Sequence, residues 1–105
     1  MEFPNVTALA QANLYFEGKV VSHAILLATG EKKTLGVIFP GEYYFGTDAA
    51  ERMEITAGQC LVRLEGSQDT RTYGPGEAFV VPAKAGFTIT VSDEPCQYVC
   101  SYLAD

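Results

Sequence analysis

Gly41-Glu42-Tyr43-Tyr44-Phe45-Gly46-Thr47-Asp48-Ala49-Ala50-Glu51-Arg52-Met53-Glu54-Ile55-Thr56-Ala57-Gly58 and, further on, Gly74-Pro75-Gly76-Glu77-Ala78-Phe79-Val80-Val81-Pro82 are the stretches whose reading decides the fold. Six residues intervene between Glu51 and Gly58, and Pro82 comes six positions after Gly76. Glu42 to Thr47, Arg52 to Thr56 and Ala78 to Val81 are β-prone runs held between turn formers. Gly can take positive φ and Pro fixes its own, so Gly74-Pro75-Gly76 stops one run before the next begins. Residues two apart on a strand point to the same face, which puts Tyr43, Phe45 and Thr47 in one row and leaves Glu42 pointing outward.

Outward from these stretches the chain keeps the same rhythm. Val20 to Ala28 reads as a strand closed by the turn signal Thr29-Gly30-Glu31-Lys32-Lys33, and Thr34 to Phe39 reads as the next, broken at Pro40-Gly41. Arg52 to Thr56 and Gln59 to Leu64 suggest a hairpin around Ala57-Gly58. Thr70 to Tyr73, Gly86 to Ser92 and Gln97 to Leu103 complete the set. Short strands bounded by Gly or Pro at this spacing predict an all-β sandwich or barrel. Residues 1–12 read as an N-terminal arm, loose or with a short helix from Val6 to Ala12, and residues 13–105 as one domain. Asn13-Leu14-Tyr15-Phe16-Glu17-Gly18 looks like a protease-cleavage tag but lacks its flanking Glu and its Gln, and is treated as native.

A chain of 105 residues is one domain with a modest core, and 48% hydrophobic residues argue against disorder. Thirteen acids against seven bases give a net charge of -6, with no basic face for a nucleic-acid backbone. No apolar run approaches the ~20 residues that span a bilayer. Val20 to Ala28 is too short and too late for a signal peptide, so a cytoplasmic location is expected. Cys60, Cys96 and Cys100 are odd in number. At a rise of ~3.3 Å per residue, Cys96 and Cys100 stand roughly 13 Å apart on a strand, too far to bridge, so free thiols are expected.

The spacing of the two opening stretches resembles the paired motifs of the cupin barrels, which implies a single-domain cupin-like β-barrel of jelly-roll type. Metal-bearing members carry two His before the Glu and a third after the Pro. The matching positions here are Phe45, Thr47 and Phe87, and the one His, His23, lies elsewhere. Phenyl rings ligate nothing, so no metal is expected.

A wider set of residues is more specific. Asn13-x-Tyr15-Phe16-x-Gly18-Lys19-Val20, Gly36-Val37, Gly41-Glu42-Tyr43-x-Phe45-x-Thr47, Glu51-x-Met53, Val81-Pro82, Phe87 and Tyr98-x-Cys100-x-Tyr102-Leu103 resemble the small bacterial pyrimidine/purine nucleoside phosphorylase family. The resemblance runs from about Asn13 to Leu103. It implies a homodimer that splits purine and pyrimidine nucleosides with inorganic phosphate into the free base and α-D-ribose 1-phosphate, with no cofactor.

Such a reaction passes through an oxocarbenium-like transition state and needs positioning and preorganised dipoles more than covalent chemistry. Candidate catalytic residues are Glu51, Thr47 and Tyr43: the hydroxyls for phosphate or ribose, the carboxyl for ribose hydroxyls or the cationic sugar. Phe45, Phe87, Tyr98, Tyr102 and Lys84 are candidate substrate contacts. Stacking tolerates any base, because every base has a π-face. Any single one of these aromatics is more often core than a ligand contact, and phosphate could be met by Lys19, Lys84 or backbone N–H groups. A non-catalytic ligand-binding or sensor cupin is the rival reading, and a metal-dependent cupin enzyme is a third.

Overall fold

The computed structural model describes residues 1–103, so the last two residues of the predicted domain lie outside the described residues. Eleven strands follow in order: β1 (Thr7–Ala8), β2 (Asn13–Tyr15), β3 (Val20–Leu26), β4 (Lys32–Ile38), β5 (Gly41–Gly46), β6 (Glu51–Ala57), β7 (Cys60–Leu64), β8 (Arg71–Tyr73), β9 (Ala78–Val81), β10 (Gly86–Val91) and β11 (Cys96–Tyr102). They form two antiparallel sheets. The larger runs β1-β3-β4-β11-β6-β9, with β2 also on β3, and the smaller runs β5-β10-β7-β8. The all-β, cupin-like architecture is therefore present as two facing sheets rather than one continuous closed ladder.

Alternation explains how the sheets stick together. β9 reads intermediate-buried-exposed-buried, and on β6 Met53 and Ile55 are buried while Arg52 and Thr56 are exposed. The inward rows meet in one core that includes Val20, Ile38, Tyr43, Ile55, Val62, Phe79, Phe87 and Ile89. Burying each large apolar side chain contributes ~1.5–3 kcal/mol, and these rows supply most of the stabilisation. Cys60, Cys96 and Cys100 belong to the same core as free, buried thiols.

Two local expectations are corrected. The Val6 to Ala12 segment is not helical: Thr7 and Ala8 pair with Leu26 and Ile25, and Leu9 N–H donates to Ala24 O at 2.9 Å. β2 covers only Val20 to Ser22 of that edge of β3, and satisfying the end at Ile25 and Leu26 outweighs the weak local helix preference. The Ala57-Gly58 turn does not close a hairpin either. β6 pairs with β11 and β9, whereas β7 pairs with β10 and β8, so the chain crosses between sheets there. Gly58, at φ +74°, makes this crossing directly against the Pro95 carbonyl, where a Cβ would collide with backbone.

Candidate functional site

A cavity of about 240 Å³ opens between the sheets, at the end where β6 begins and β11 finishes. That is below the ~300–1,000 Å³ usual for drug-sized ligands, but the mouth is open, with Tyr15 and Tyr102 both exposed. Its wall on the larger sheet is a set of cross-strand rows. Tyr98 faces Gly36 on β4 and Ile55 on β6, Cys100 faces Thr34 and Met53, and Tyr102 faces Glu51. Lys32 shares the inward face of β4 with Thr34 and Ile38, and all three line the cavity. Asn13, Tyr15 and Ser22 close one side, and the Asn13 amide donates to the Ser22 hydroxyl at 3.3 Å.

The opposite wall is aromatic. Phe87 pairs with Phe45 across β10 and β5, and their rings stack at 5.7 Å between centroids and 25° between planes. Phe79 meets Phe87 edge-on at 5.4 Å, and Tyr15 and Phe16 both meet Phe45 edge-on. Phe16 reaches that position from a single 3-10 turn, Phe16–Gly18, in which Phe16, Glu17 and Gly18 all have positive φ (52°, 58° and 87°). Left-handed non-glycine residues cost roughly 1–2 kcal/mol each, a strain that the aromatic contacts offset.

The sequence-predicted residues separate into two groups. Phe45, Glu51, Phe87, Tyr98 and Tyr102 line the cavity together. Tyr43, Thr47 and Lys84 are not part of its wall. Tyr43 points its hydroxyl at the carbonyls of Phe39 and Pro40, at 2.7 and 3.0 Å. Thr47 donates to Pro82 O at 2.6 Å and accepts from the Ala85 N–H at 3.0 Å, tying the end of β5 to the turn before β10. Lys84 is exposed on that turn. The residues unread in the sequence are Lys32, Thr34, Ser22 and Asn13. Lys32 falls within the turn signal Thr29-Gly30-Glu31-Lys32-Lys33, yet β4 begins at Lys32 and the alternation Lys32, Thr34, Gly36, Ile38 puts it in the inward row.

Burial pushes the Glu51 carboxyl above the usual carboxylate range, with hydrogen bonding to the Cys100 thiol opposing the shift. Cys100 is pushed up to about 12, first by burial and then by Glu51. Burial also raises the Tyr98 and Tyr102 phenols. The Cys100 thiol and these two phenols are therefore neutral at pH 7, and Lys32 and Glu51 are the basic and the acidic side chain of the wall.

The metal-binding positions of a cupin hold Phe45, Thr47 and Phe87, two rings and a hydroxyl already engaged at two backbone groups. Among the described residues, His23 instead lies exposed near Leu9 O, and no cluster of three His, Cys, Asp or Glu forms. This donor set does not fit a metal. No helix among the described residues is long and apolar enough to cross a membrane.

Gly36 is what lets Tyr98 lie flat in the wall. A Cβ at 36 would overlap the Tyr98 ring and its hydroxyl. Gly36→Ala is therefore expected to cost ~1–3 kcal/mol as an overpacking change. In a Tyr98→Ala background the same substitution should be nearly neutral, and urea melts of the four proteins measure that coupling. A cost that persists without the ring would place the clash elsewhere.

With this geometry in view, comparison with known proteins is direct. A pyrimidine/purine nucleoside phosphorylase of Paraburkholderia xenovorans is 56% identical over 102 residues, 97% of this chain and 95% of the relative. One from Burkholderia ambifaria is 55% identical over the same shares. The crystal structure of a protein of unknown function from Acinetobacter sp. ADP1 superposes with a TM-score of 0.94 at 38% identity, covering 97% of this chain and 98% of that one. A DMSP lyase from Ruegeria pomeroyi, 19% identical with a TM-score of 0.76 over 91% of this chain and 57% of that one, shares the fold alone. Residues 10–102, which hold every strand that walls the cavity, match the pyrimidine/purine nucleoside phosphorylase family, and the chain belongs to that family.

Proposed function

We propose that this protein is a cytoplasmic, homodimeric nucleoside phosphorylase that needs no cofactor. It cleaves diverse purine and pyrimidine nucleosides with inorganic phosphate to the free base and α-D-ribose 1-phosphate. The observation that carries this reading is the convergence on one cavity of an aromatic wall, Phe45 and Phe87, with the carboxyl of Glu51 and the phenols of Tyr98 and Tyr102.

In the reaction a phosphate oxygen forms a bond to C1′ as the C1′–N bond breaks, its electron pair leaving on the base nitrogen. The phosphate's proton ends on the base, so charge and atoms balance. The base lies against the Phe45/Phe87 wall rather than between the rings, which are already in contact with each other. A flat apolar wall makes no hydrogen-bond choice among bases, which supports broad tolerance. Glu51, buried enough to hold its proton more readily, accepts from ribose hydroxyls when ionised and can pass a proton toward the departing base when neutral. Tyr43 and Thr47 are positioning residues: they fix both ends of the strand that carries Phe45.

Incubation of the purified protein with uridine or adenosine, with and without phosphate, tests the reading. Base release that requires phosphate is the expected result. Tight binding with no release would instead identify a ligand-binding or sensor protein.

A further inference from the structure

Phosphate is a dianion and this chain carries a net charge of -6, so a cation in the cavity would favour its binding. Six of the seven basic residues lie outside the cavity wall. Lys33 lies on the opposite face of β4, 2.7 Å from the Ser101 hydroxyl and 3.4 Å from Glu31. Arg52 pairs outward with Glu54 at 2.8 Å. Lys19, Arg63, Arg71 and Lys84 are exposed and outside the cavity wall.

Lys32 is the one cation among the described residues that lines the cavity. Among those residues it makes no ion pair, and its ammonium stands 5.6 Å from the centre of the Tyr102 ring. A cation over an aromatic face is steered without being neutralised, so its charge stays available to a ligand. The strand order sets the rest of the geometry. β11 lies between β4 and β6, and Glu51 faces Tyr102, so Lys32 and Glu51 sit two strand spacings apart, about 9–10 Å, with Tyr102 as the floor between them. Among the described residues no ion pair joins the two side chains, so the carboxyl does not already neutralise the ammonium. The buried Thr34 hydroxyl is one step deeper on the same face of β4 and supplies a neutral hydrogen-bonding group to the same space.

We propose that Lys32 is the phosphate-binding residue of this site, seating the anion over Tyr102 with Glu51 on the far side, next to the sugar. This rests on the phosphorylase reading above and adds the group that reading lacks. It also takes the place of Lys19 and Lys84, the two lysines among the phosphate candidates read from the sequence, because both lie outside the cavity wall.

Steady-state kinetics on Lys32→Ala, Lys32→Arg and Lys84→Ala test it, with Arg63→Ala as a control for loss of a distant positive charge. Lys32→Ala is expected to raise the KM for phosphate about tenfold or more while changing the KM for the nucleoside by less than about twofold, with partial recovery in Lys32→Arg. Phosphate should also raise the melting temperature of the wild type, and that rise should vanish in Lys32→Ala, a readout independent of turnover. Lys32 is exposed and makes no ion pair among the described residues, so the variant should fold. Wild-type phosphate KM and an intact thermal shift in Lys32→Ala, or a phosphate defect confined to Lys84→Ala, would overturn the assignment. If the wild type releases no base with phosphate yet shows the Lys32-dependent thermal shift, the phosphorylase reading falls and the anion site stands.

Discussion

Glu51→Gln should keep the fold and lower kcat/KM by ~10²–10⁴-fold, the range for removal of a positioned proton-transfer group. Gln preserves the size and hydrogen-bonding reach of the side chain but can neither carry negative charge toward the sugar nor exchange a proton with the base. The stability effect has the opposite sign. Glu51 has its folded-state pKa raised by burial, so the native protein binds this proton more tightly than the unfolded chain does. The stability associated with that proton is complete below the ordinary Glu value and is lost as pH rises through the folded value. Glu51→Gln has nothing to titrate, so its stability relative to the wild type should rise as pH climbs from below the ordinary Glu value through the raised folded one. Urea melts at pH 4 and pH 7 with parallel rate measurements check both halves. Full activity in Glu51→Gln would remove this carboxyl from the mechanism.

Phe87→Ala should cost ~3–5 kcal/mol, a large share of the ~5–15 kcal/mol that holds a domain of this size together. The ring is 2% exposed, stacks on Phe45, abuts Phe79 and sits on β10, the strand that joins β5 to β7. Removing it leaves a void beneath the cavity that neighbouring rings, already in contact, can fill only in part. A fall of well over 10 °C in melting temperature is expected at ~4–8 °C per kcal/mol. A loss below ~1 kcal/mol would mean that the aromatic wall is not the packed core described above.

Much of this site could be read from the chain because strand alternation is a local property. Counting sets Phe45 in one row with Tyr43 and Thr47, the cupin resemblance turns that row and Phe87 inward, and Phe45 and Phe87 do pair across β5 and β10. Tyr98, Cys100 and Tyr102, spaced two apart on β11, share one face by the same count, and that face lines the cavity. What stayed hidden depends on partners far along the chain. The inward direction of Thr47 was legible, but not that its hydroxyl would be consumed by Pro82, 35 residues on. Lys32 joins the site only because β4 pairs with β11, and nothing near Gly30 announces that register. The crossing at Gly58 was mistaken for a hairpin because an apolar-polar alternation looks the same whether the next run joins its neighbour or the facing sheet. The arm took an extended form because β3 offered it an open edge, a tertiary opportunity invisible in Val6 to Ala12 itself.

The cavity's walls come from both extremes of the chain: Asn13 and Tyr15 on one side, Tyr98 and Tyr102 on another. Pairings between distant segments form late and slowly, since loop closure must precede them. The pocket is therefore complete only once β11 has slotted in between β4 and β6.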